Sequence, residues 1–424
     1  MYLKSMHAGN FRRHDRLSGA GAPPRFQGPT GSIPIETVIP GPNHRYHPDA
    51  VLRAVSDLAE RFVSFGTPET IRVEELSQLS GIRDEWVGLM ARIPQSSYFQ
   101  TPDWVLAWWE TIGGMPPTEL VLWRSSSGAL EGIQFLSRLM RRVHPRLPPA
   151  WPIWTVTGSG IGDADHIGWP VLPQHREAAR QHAMRRTRGT TLLLQDLDSE
   201  TGVPYVPRGA RLLFRNPCPR MALYPPDAIP ASMRRTQHHL RRYEKRADAA
   251  GITFRWIPGS QMDDSFLERF FALHKSRMTE KGVSSRFLSA EPLFRRLVAQ
   301  GSAARGPIAM VAERDRRMIG LLCFLRWGDT LAYYQSGWSP EWASVELGRL
   351  LFNESIKGAG ADGLRTMDFL RGNEEYKYRL GAVDRWDETW LRPGGISGSI
   401  LKLFVPAYRF ATRRMWTAQP SKAP

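Results

Sequence analysis

An internal repeat constrains the fold of this chain more than any other feature of its sequence. Residues 120–136 and 309–325 each contain two apolar runs separated by a short polar turn. Each pair of predicted strands follows two predicted helices. This order indicates two copies of a unit made of one strand, two helices and three strands. A chain of 424 residues is long enough for two or three domains, which agrees with a duplicated unit.

The repeat and the changes in composition along the chain predict five segments. They are a basic, disordered tail with one short helix (1–68), an N-terminal unit (69–203), a Pro-rich linker (204–230), a C-terminal unit (231–395), and a basic amphipathic helix with a tail (396–424). In the last segment, Ile400–Trp416 places its apolar residues on one side, and Pro406 should kink it. Such a helix either lies on an anionic membrane surface or docks on the protein.

The charge of the chain widens the choice of partners rather than fixing it. The net charge is +16 and the pI about 10.3, which attracts phosphates, nucleic acids and anionic membranes alike. The two cysteines, Cys218 and Cys323, have no CxxC spacing, which argues against a disulfide framework and fits a reducing cytoplasm. No apolar run suits a signal peptide or a membrane span, so we expect a cytoplasmic protein without a transmembrane segment.

A run of charged and phenolic side chains follows the short predicted strand Leu364–Leu370. Asp368 lies inside this strand, and Arg371, Tyr376 and Lys377 come soon after it. Ligands of mixed α/β proteins bind at the carboxyl ends of strands, so this edge is a candidate reaction centre. We therefore expect Asp368, Lys377 and Tyr376 to be catalytic and Arg371 to support them. The alternative is a structural Asp368 that pairs with a local arginine or caps a backbone group.

A second candidate site lies between the predicted strand Thr330–Trp338 and the predicted helix Ser344–Gly358. Ser344 is a reasonable N-cap, and Gly348 falls in the first turns of the helix. The unpaired N–H groups and the positive dipole of a helix start bind anions, and a glycine lets a pyrophosphate approach the backbone. The alternative explanation of Gly348 is close packing of the helix against the sheet.

Basic residues and histidines elsewhere allow both functional and structural explanations. The predicted helix Ser232–Ala250 carries a dense basic run in which Arg234 and Arg241 share one face. This run either binds phosphate, in a nucleotide, a lipid or RNA, or is a solvated arginine-rich face. We expect His274 to be a core or capping histidine more readily than a base. His166 has acidic neighbours, but a solvated loop explains them better than a metal, and we expect no metal site.

The spacing Asp368-Phe-Leu-Arg-Gly-(x)3-Tyr-Lys377 resembles the closing motif of GNAT-superfamily acyltransferases of the CelD-like, FemAB-related group. Three further segments are similar to that group: Met233–Arg246, Leu273-His-Lys-Ser-Arg-(x)4-Gly282, and the opening Phe99–Trp108. The resemblance covers roughly residues 70–395 and implies an α/β (α+β) fold. It implies two tandem GNAT-like units, each a mixed, mostly antiparallel sheet flanked by helices.

The resemblance also implies a donor and a set of binding residues. The donor would be acyl-CoA or acetyl-CoA, held beside a splayed strand, with the acyl group passing to an amine. Matched to the motifs, the donor-binding residues would be Ser336, Gly337, Leu347, Gly348 and Arg349, and the substrate-binding residues Arg371, Arg234, Arg241, His274 and Arg277. The usual pyrophosphate signature has a second small residue that Val345–Leu350 lacks. The donor is therefore open between coenzyme A and aminoacyl-tRNA.

These observations predict a cytoplasmic N-acyltransferase. Its acceptor would be a small molecule or a precursor of the cell envelope, a glycan or a polysaccharide. One alternative is a FemAB-like transferase that uses aminoacyl-tRNA and has tRNA as a partner. The other is a non-enzymatic basic binding protein on a GNAT fold, with peripheral membrane contact.

Overall fold

The computed structural model describes residues 68–399, except 142–150, 161, 226, 229, 231–239, 303 and 396–397. The predicted tail helix before residue 68, the first part of the basic helix with Arg234, and the predicted amphipathic helix from Ile400 onward lie outside these residues. Within the described part, every helix falls short of the length and apolarity needed to cross a bilayer.

The described strands form a single twelve-stranded sheet. They are β1 Glu69–Val73, β2 Thr118–Arg124, β3 Leu130–Arg141, β4 Trp151–Val156, β5 Thr191–Asp198, β6 Arg211–Ala222, β7 Thr253–Pro258, β8 Gly306–Arg314, β9 Arg317–Trp327, β10 Thr330–Trp338, β11 Thr366–Asp368 and β12 Val383–Arg392. Their order is β1-β2-β3-β4-β5-β12-β6-β11-β10-β9-β8-β7. Strands β4–β5 and β10–β11 pair in parallel, and the other neighbours are antiparallel.

Helices flank this sheet. The α-helices are α1 Arg83–Ala91, α2 Pro102–Glu110, α3 Arg176–Arg186, α4 Arg241–Ala249, α5 Asp264–Glu280, α6 Glu291–Gln300, α7 Leu347–Ala361 and α8 Glu375–Arg379. Short 3-10 helices cover Leu76–Ile82, Tyr98–Gln100, Pro173–His175, Val203–Tyr205, Gly259–Gln261, Phe287–Ala290 and Pro340–Val345. The fold class predicted from the sequence, a mixed and mostly antiparallel sheet flanked by helices, is confirmed.

The two halves of the sheet have the same strand order on either side of the central β12–β6 pair. Each half contains an antiparallel meander (β1-β2-β3-β4 or β7-β8-β9-β10) followed by one parallel neighbour, β5 or β11. The last described strand, β12, joins β5 of the first half, while β6 joins β11 of the second half. The two predicted units therefore share one sheet, with β12 of the C-terminal unit beside β5 of the N-terminal unit.

The predicted Pro-rich linker 204–230 contains β6 at the centre of the sheet, so this segment differs from the expected irregular connection. The prediction excluded a central strand here because proline lacks the N–H group that such a strand uses for hydrogen bonding. The carbonyl of Pro219 accepts from the N–H of Phe369, and the carbonyl of Pro217 accepts from that of Gly372. Both partners lie beyond the end of β11, where the regular ladder has stopped. The prolines therefore direct their backbone groups at this loop on one side of β6, while β12 lies on the other side with Asp384 opposite Pro219 and Trp386 opposite Pro217.

The strand β9 shows how the core is divided between the two faces of the sheet. Leu321, Cys323 and Leu325 pack in one buried cluster, and Leu322 and Phe324 pack in the other. Alternate residues of a strand point to opposite faces, so a strand covered on both sides is apolar throughout. Helices α5 and α6 contribute to the first cluster, and α4 and α7 contribute to the second. The start of α7 thus lies on the α4 face of the sheet.

Candidate functional site

The parallel strands β10 and β11 diverge after a short contact. They pair over Thr330–Ala332 and Thr366–Asp368. The register of β10 against β9 then shifts between Tyr333 and Gln335, which marks a bulge. A bulge bends its strand and leaves local backbone groups out of the ladder. The ladder between β10 and β11 thus stops at Ala332 and Asp368, and β10 continues over Tyr333–Trp338 paired with β9, as a splayed strand would.

A cavity of about 900 Å³ lies on the α7 face beside this divergence. The start and outer side of α7, the end of β10, α8 and the start of α4 form its walls. The lining residues are Leu240, Arg242, Arg277, Trp338, Trp342, Ala343, Glu346, Leu347, Gly348, Arg349, Phe352, Asn353, Ile356, Tyr376, Arg379 and Leu380. Four arginines and one glutamate make this wall cationic, while its aromatic and aliphatic members make it apolar between the charges.

Arg277 is held against the end of β10 by two contacts. Its guanidinium lies 3.3 Å from the centroid of the Trp338 ring and donates to the hydroxyl of Ser336. The Tyr333 hydroxyl donates to the same Ser336 oxygen over 2.7 Å. A guanidinium fixed over an indole is pre-organised for an anion, since little side-chain entropy remains to be lost on binding. The Nε atom of Arg277 is buried without a hydrogen-bond partner among the described residues.

The start of α7 differs in detail from the sequence prediction. The N-cap is Glu346 rather than Ser344, because Pro340–Val345 forms a separate 3-10 helix that ends at Glu346 in the left-handed conformation (φ 54°). A Cβ atom on Gly348 would lie 2.8 Å from the ring of Trp338. The glycine therefore allows the tryptophan to pack on the helix, as the packing explanation predicted.

Tyr376 is the one member of the predicted catalytic trio that lines the cavity. Its ring packs against Phe352, with 5.4 Å between the ring centroids, and against Phe369. Burial raises the pKa of the Tyr376 phenol well above its ordinary value, and the nearby Tyr333 and Glu374 raise it further. The phenol is therefore a neutral hydrogen-bond donor at any physiological pH.

Asp368 lies away from the cavity lining, in a buried ion pair with the first half of the chain. Its Oδ2 is 3.0 Å from Nε2 of His166, whose Nδ1 is 2.8 Å from Oδ1 of Asp387. The other Asp368 oxygen accepts from the N–H of Leu370 over 2.8 Å. Asp368 is 2% exposed, so its carboxylate has partners but no open approach. This geometry favours the structural alternative for Asp368.

The charges of Asp368, His166 and Asp387 support one another. Burial alone would lower the pKa of His166, but Asp387 and Asp368 raise it well above its ordinary value. Burial alone would raise the pKa of Asp368, but the charge of His166 holds it below its ordinary value. The result is a buried His166–Asp368 ion pair beside Asp387, whose own pKa is raised by burial. A buried charge of this kind is stable only when it is paired.

Lys377 and Arg371 are also occupied by protein partners. The Lys377 amine donates to the carbonyls of Leu370, Arg371 and Gly372 and pairs with Glu374 at 2.9 Å. Arg371 pairs with Asp165 and Asp196 of the first half, at 2.6 and 2.9 Å. Neither side chain lines the cavity.

The remaining predicted residues divide between the cavity and its surroundings. Leu347, Gly348, Arg349 and Arg277 line the cavity, and Ser336 and Gly337 lie behind it in β10. His274 bonds through Nδ1 to the carbonyl of Ser336 and through Nε2 to the hydroxyl of Ser285, each at 2.7 Å. Burial lowers the pKa of His274, so a neutral core histidine fits both bonds. Arg241 is exposed beside the cavity residue Arg242.

Sequence reasoning missed several lining residues. Trp338 ends β10, and Arg379 lies one helical turn after Tyr376, so both positions follow from elements that were predicted. It also missed Asp387 as the partner of His166, because these residues lie 221 positions apart. No local spacing could have shown that pair.

His166, Cys218 and Asp387 offer ligand atoms within 4.8 Å of one another, which is the spacing of a metal site. The donor set does not suit a metal. Both ring nitrogens of His166 face carboxylates. Burial and the neighbouring carboxylates raise the pKa of the Cys218 thiol well above its ordinary value, so it keeps its proton.

Comparison with known proteins gives the class of this domain. Residues 234–378 match a family described as Acetyltransferase (GNAT) domain. No curated protein matches this sequence. Three solved structures are similar in fold. The crystal structure of FemX covers 80% of this chain and 100% of its own, with a TM-score of 0.54 and 12% identity.

The second is the C-terminal domain of a putative lysylphosphatidylglycerol synthetase from Agrobacterium fabrum (76% of this chain, 95% of that one, TM-score 0.48, 10% identity). The third is a tandem GNAT protein from the clavulanic acid biosynthesis pathway (77% and 98%, TM-score 0.40, 15% identity). Of these three structures, FemX is the one whose TM-score exceeds 0.5, and it supports the similarity in fold.

Residues 234–378 of this chain are therefore similar to GNAT acetyltransferase domains, and the chain is similar to FemX in fold. The resemblance inferred from the sequence is confirmed at that level, and the narrower CelD-like, FemAB-related grouping stays a prediction. The tRNA partner and the aminoacyl-tRNA donor receive no support from these matches.

Proposed function

We propose that this protein is a cytoplasmic N-acyltransferase that moves an acyl group from an acyl-CoA thioester to an amine on a cell-envelope or polysaccharide precursor. The observation that carries this proposal is the arginine-lined cavity beside the divergence of β10 and β11. The GNAT domain match over residues 234–378 supports acyl transfer as the reaction class.

The cavity combines cationic and apolar side chains, so it suits a donor that carries both phosphates and an extended arm. Arg242, Arg277, Arg349 and Arg379 line it, and guanidinium groups bind phosphate oxygens in paired hydrogen bonds. The start of α7 adds the positive end of a helix dipole to the same wall. The apolar side chains between these charges would hold the pantetheine arm and the acyl group.

The transfer needs a stabilised oxyanion and an acceptor for one proton. The amine nitrogen attacks the thioester carbon, a C–N bond forms, the C–S bond breaks, and the thiolate leaves as the amine loses its proton. Tyr376, a neutral phenol on the cavity wall, would donate a hydrogen bond to the oxyanion or the thiolate. Glu346 is the lining carboxylate that would accept the amine proton.

Turnover tests the chemistry. Free thiol release would be measured from acetyl-CoA and longer acyl-CoAs with a panel of amino sugars and other amines. Replacing Tyr376→Phe should lower kcat on the order of 100-fold while the KM for the donor changes little, because one transition-state donor is lost. If Tyr376→Phe keeps full kcat, the phenol has no part in the reaction.

Binding tests the location of the donor with a matched pair of variants. Arg242 and Arg241 are adjacent and exposed, but of the two, Arg242 is the one that lines the cavity. Calorimetry should show that Arg242→Ala weakens coenzyme A binding roughly 10- to 100-fold, as expected for a lost charged hydrogen bond. Arg241→Ala should bind as the wild type does. If the two variants change the affinity for coenzyme A equally, the donor binds elsewhere. If the protein binds aminoacyl-tRNA but not coenzyme A, the tRNA-dependent alternative is favoured.

A further inference from the structure

We propose that the first half of the chain positions the reactive wall of the cavity through Arg371. On this proposal Arg371 and its partners Asp165 and Asp196 are positioning residues that act through Tyr376. The inference rests on the proposed function, because it takes Tyr376 to be a group that touches the substrate. The proposal assigns the first half of the chain a role in catalysis, although no binding site is proposed in that half.

Arg371 lies in the loop between β11 and α8, and the first half holds it from two directions. Its Nε and a terminal nitrogen donate to one oxygen of Asp165, at 2.9 and 2.6 Å, and its backbone N–H donates to the other oxygen at 2.9 Å. The terminal nitrogen also lies 2.9 Å from Asp196 and donates to the carbonyl of Ala164. Because both its side chain and its backbone are bound, the loop has little freedom at this residue.

The loop transmits this restraint to α8 through Lys377. The Lys377 amine donates to the carbonyls of Leu370, Arg371 and Gly372 at 3.3, 3.1 and 3.2 Å, and it is 2% exposed. One buried cation therefore joins the loop to the single turn of helix that carries Tyr376. A shift of the loop at Arg371 should move α8 with it.

Asp368 provides a second attachment just before the loop. It contacts His166 of the first half at 3.0 Å and accepts from the N–H of Leu370 at 2.8 Å. Leu370 has a left-handed backbone (φ 53°), which is uncommon for a residue with a Cβ and persists when neighbours enforce it. The loop is thus fixed to the first half at both Asp368 and Arg371.

A double-mutant cycle on kcat separates positioning from plain stability. Asp165→Asn should lower kcat by about 10- to 100-fold, since a misplacement of about 1 Å costs on the order of 100-fold. If Asp165 acts through Tyr376, then Asp165→Asn should have little further effect when Tyr376→Phe is already present. If the fold-losses in kcat of Asp165→Asn and Tyr376→Phe multiply in the variant that carries both substitutions, the proposal is overturned.

A matched control is the buried carboxylate of Asp103. It pairs with Arg305 at 2.9 Å and with Arg83, which also donates to Gln300, so these side-chain partners lie outside the loop, α8 and the His166–Asp368 attachment. Asp103→Asn should destabilise the fold, yet its effect on kcat should multiply with that of Tyr376→Phe. All rates would be compared at temperatures where each variant is folded. Arg371→Lys keeps the charge and loses the paired geometry, so it replaces Asp165→Asn if that variant fails to fold.

Fluorine NMR of protein labelled with 3-fluorotyrosine gives a second readout that does not need turnover. The Tyr376 signal is identified by its loss in Tyr376→Phe. Asp165→Asn should move or broaden it, and Asp103→Asn should leave it in place. An unmoved signal in Asp165→Asn overturns the positioning proposal, whether or not acyl transfer occurs. Absence of acyl transfer by the wild type, with a Tyr376 signal that does respond, would refute the proposed function alone.

Discussion

The substitution Asp368→Asn tests whether the carboxylate that the sequence singled out is structural. It keeps the shape of the side chain and removes its charge. His166 would then retain Asp387 as its charged partner, at 2.8 Å, and would lose Asp368, at 3.0 Å. Both carboxylates and the imidazole are at most 2% exposed, so solvent cannot replace the lost charge.

The expected cost follows from this burial. Asp368→Asn removes one of the two carboxyl partners of His166 and leaves the other, Asp387, so the expected cost is that of a lost hydrogen bond to a charged group, about 1.5–3 kcal/mol. The pH dependence has a definite sign. The pKa of Asp368 lies below its ordinary value in the folded protein, so its contribution is complete above pH ~3.9 and is lost as the pH falls further. The difference between wild type and Asp368→Asn should persist at neutral pH and narrow only in acid.

Urea unfolding followed by tryptophan fluorescence measures this difference. Asp264→Asn is the control, because Asp264 pairs with Arg295 while its side chain is 90% exposed. That substitution should change the free energy of unfolding by less than about 1 kcal/mol. If Asp368→Asn unfolds at the same urea concentration as the wild type, the buried ion pair contributes nothing and the reasoning is refuted.

Three further outcomes follow from buried groups. Cys218 and Cys323 are fully buried with raised pKa values, so neither should react with a thiol reagent before unfolding, and rapid labelling of either would contradict the burial. Gly348→Ala should displace Trp338, 2.8 Å from the added Cβ, and weaken coenzyme A binding in calorimetry; unchanged affinity would show that this ring does not shape the site. Burial raises the pKa of Asp196 to about 7, so folding should lose stability as the pH rises from about 4 to 7, and Asp196→Asn should remove that slope in denaturant titrations.

Much of the fold could be predicted because its signals are local. The meander β8-β9-β10 follows from runs of apolar residues that are separated by short polar turns, such as the turn at Asp315 and Arg316. The duplication could be predicted because both halves repeat the same order of elements. The pairing of β12 with β5 and of β6 with β11 could not be predicted, because pairing partners far apart in sequence leave no local pattern.

The residues of the candidate site also divide into those with local sequence signals and those whose role depends on distant partners. Gly348 and Tyr376 were found from their positions in predicted elements, Arg349 and Arg277 were found from the family resemblance, and all four line the cavity. Asp368 was also found, but its role depends on a partner about two hundred residues earlier in the chain. A motif shows which residues are unusual for their position, while burial and partners decide what those residues do.

Hydrogen exchange with and without coenzyme A would test the central claim, that the cavity beside α7 is the donor site, most directly. Binding should protect amides in the first turn of α7 and in α8, because those segments line the cavity, and should leave β1–β4 unchanged. Protection confined to the first half of the chain, or no protection anywhere at saturating coenzyme A, would contradict the account.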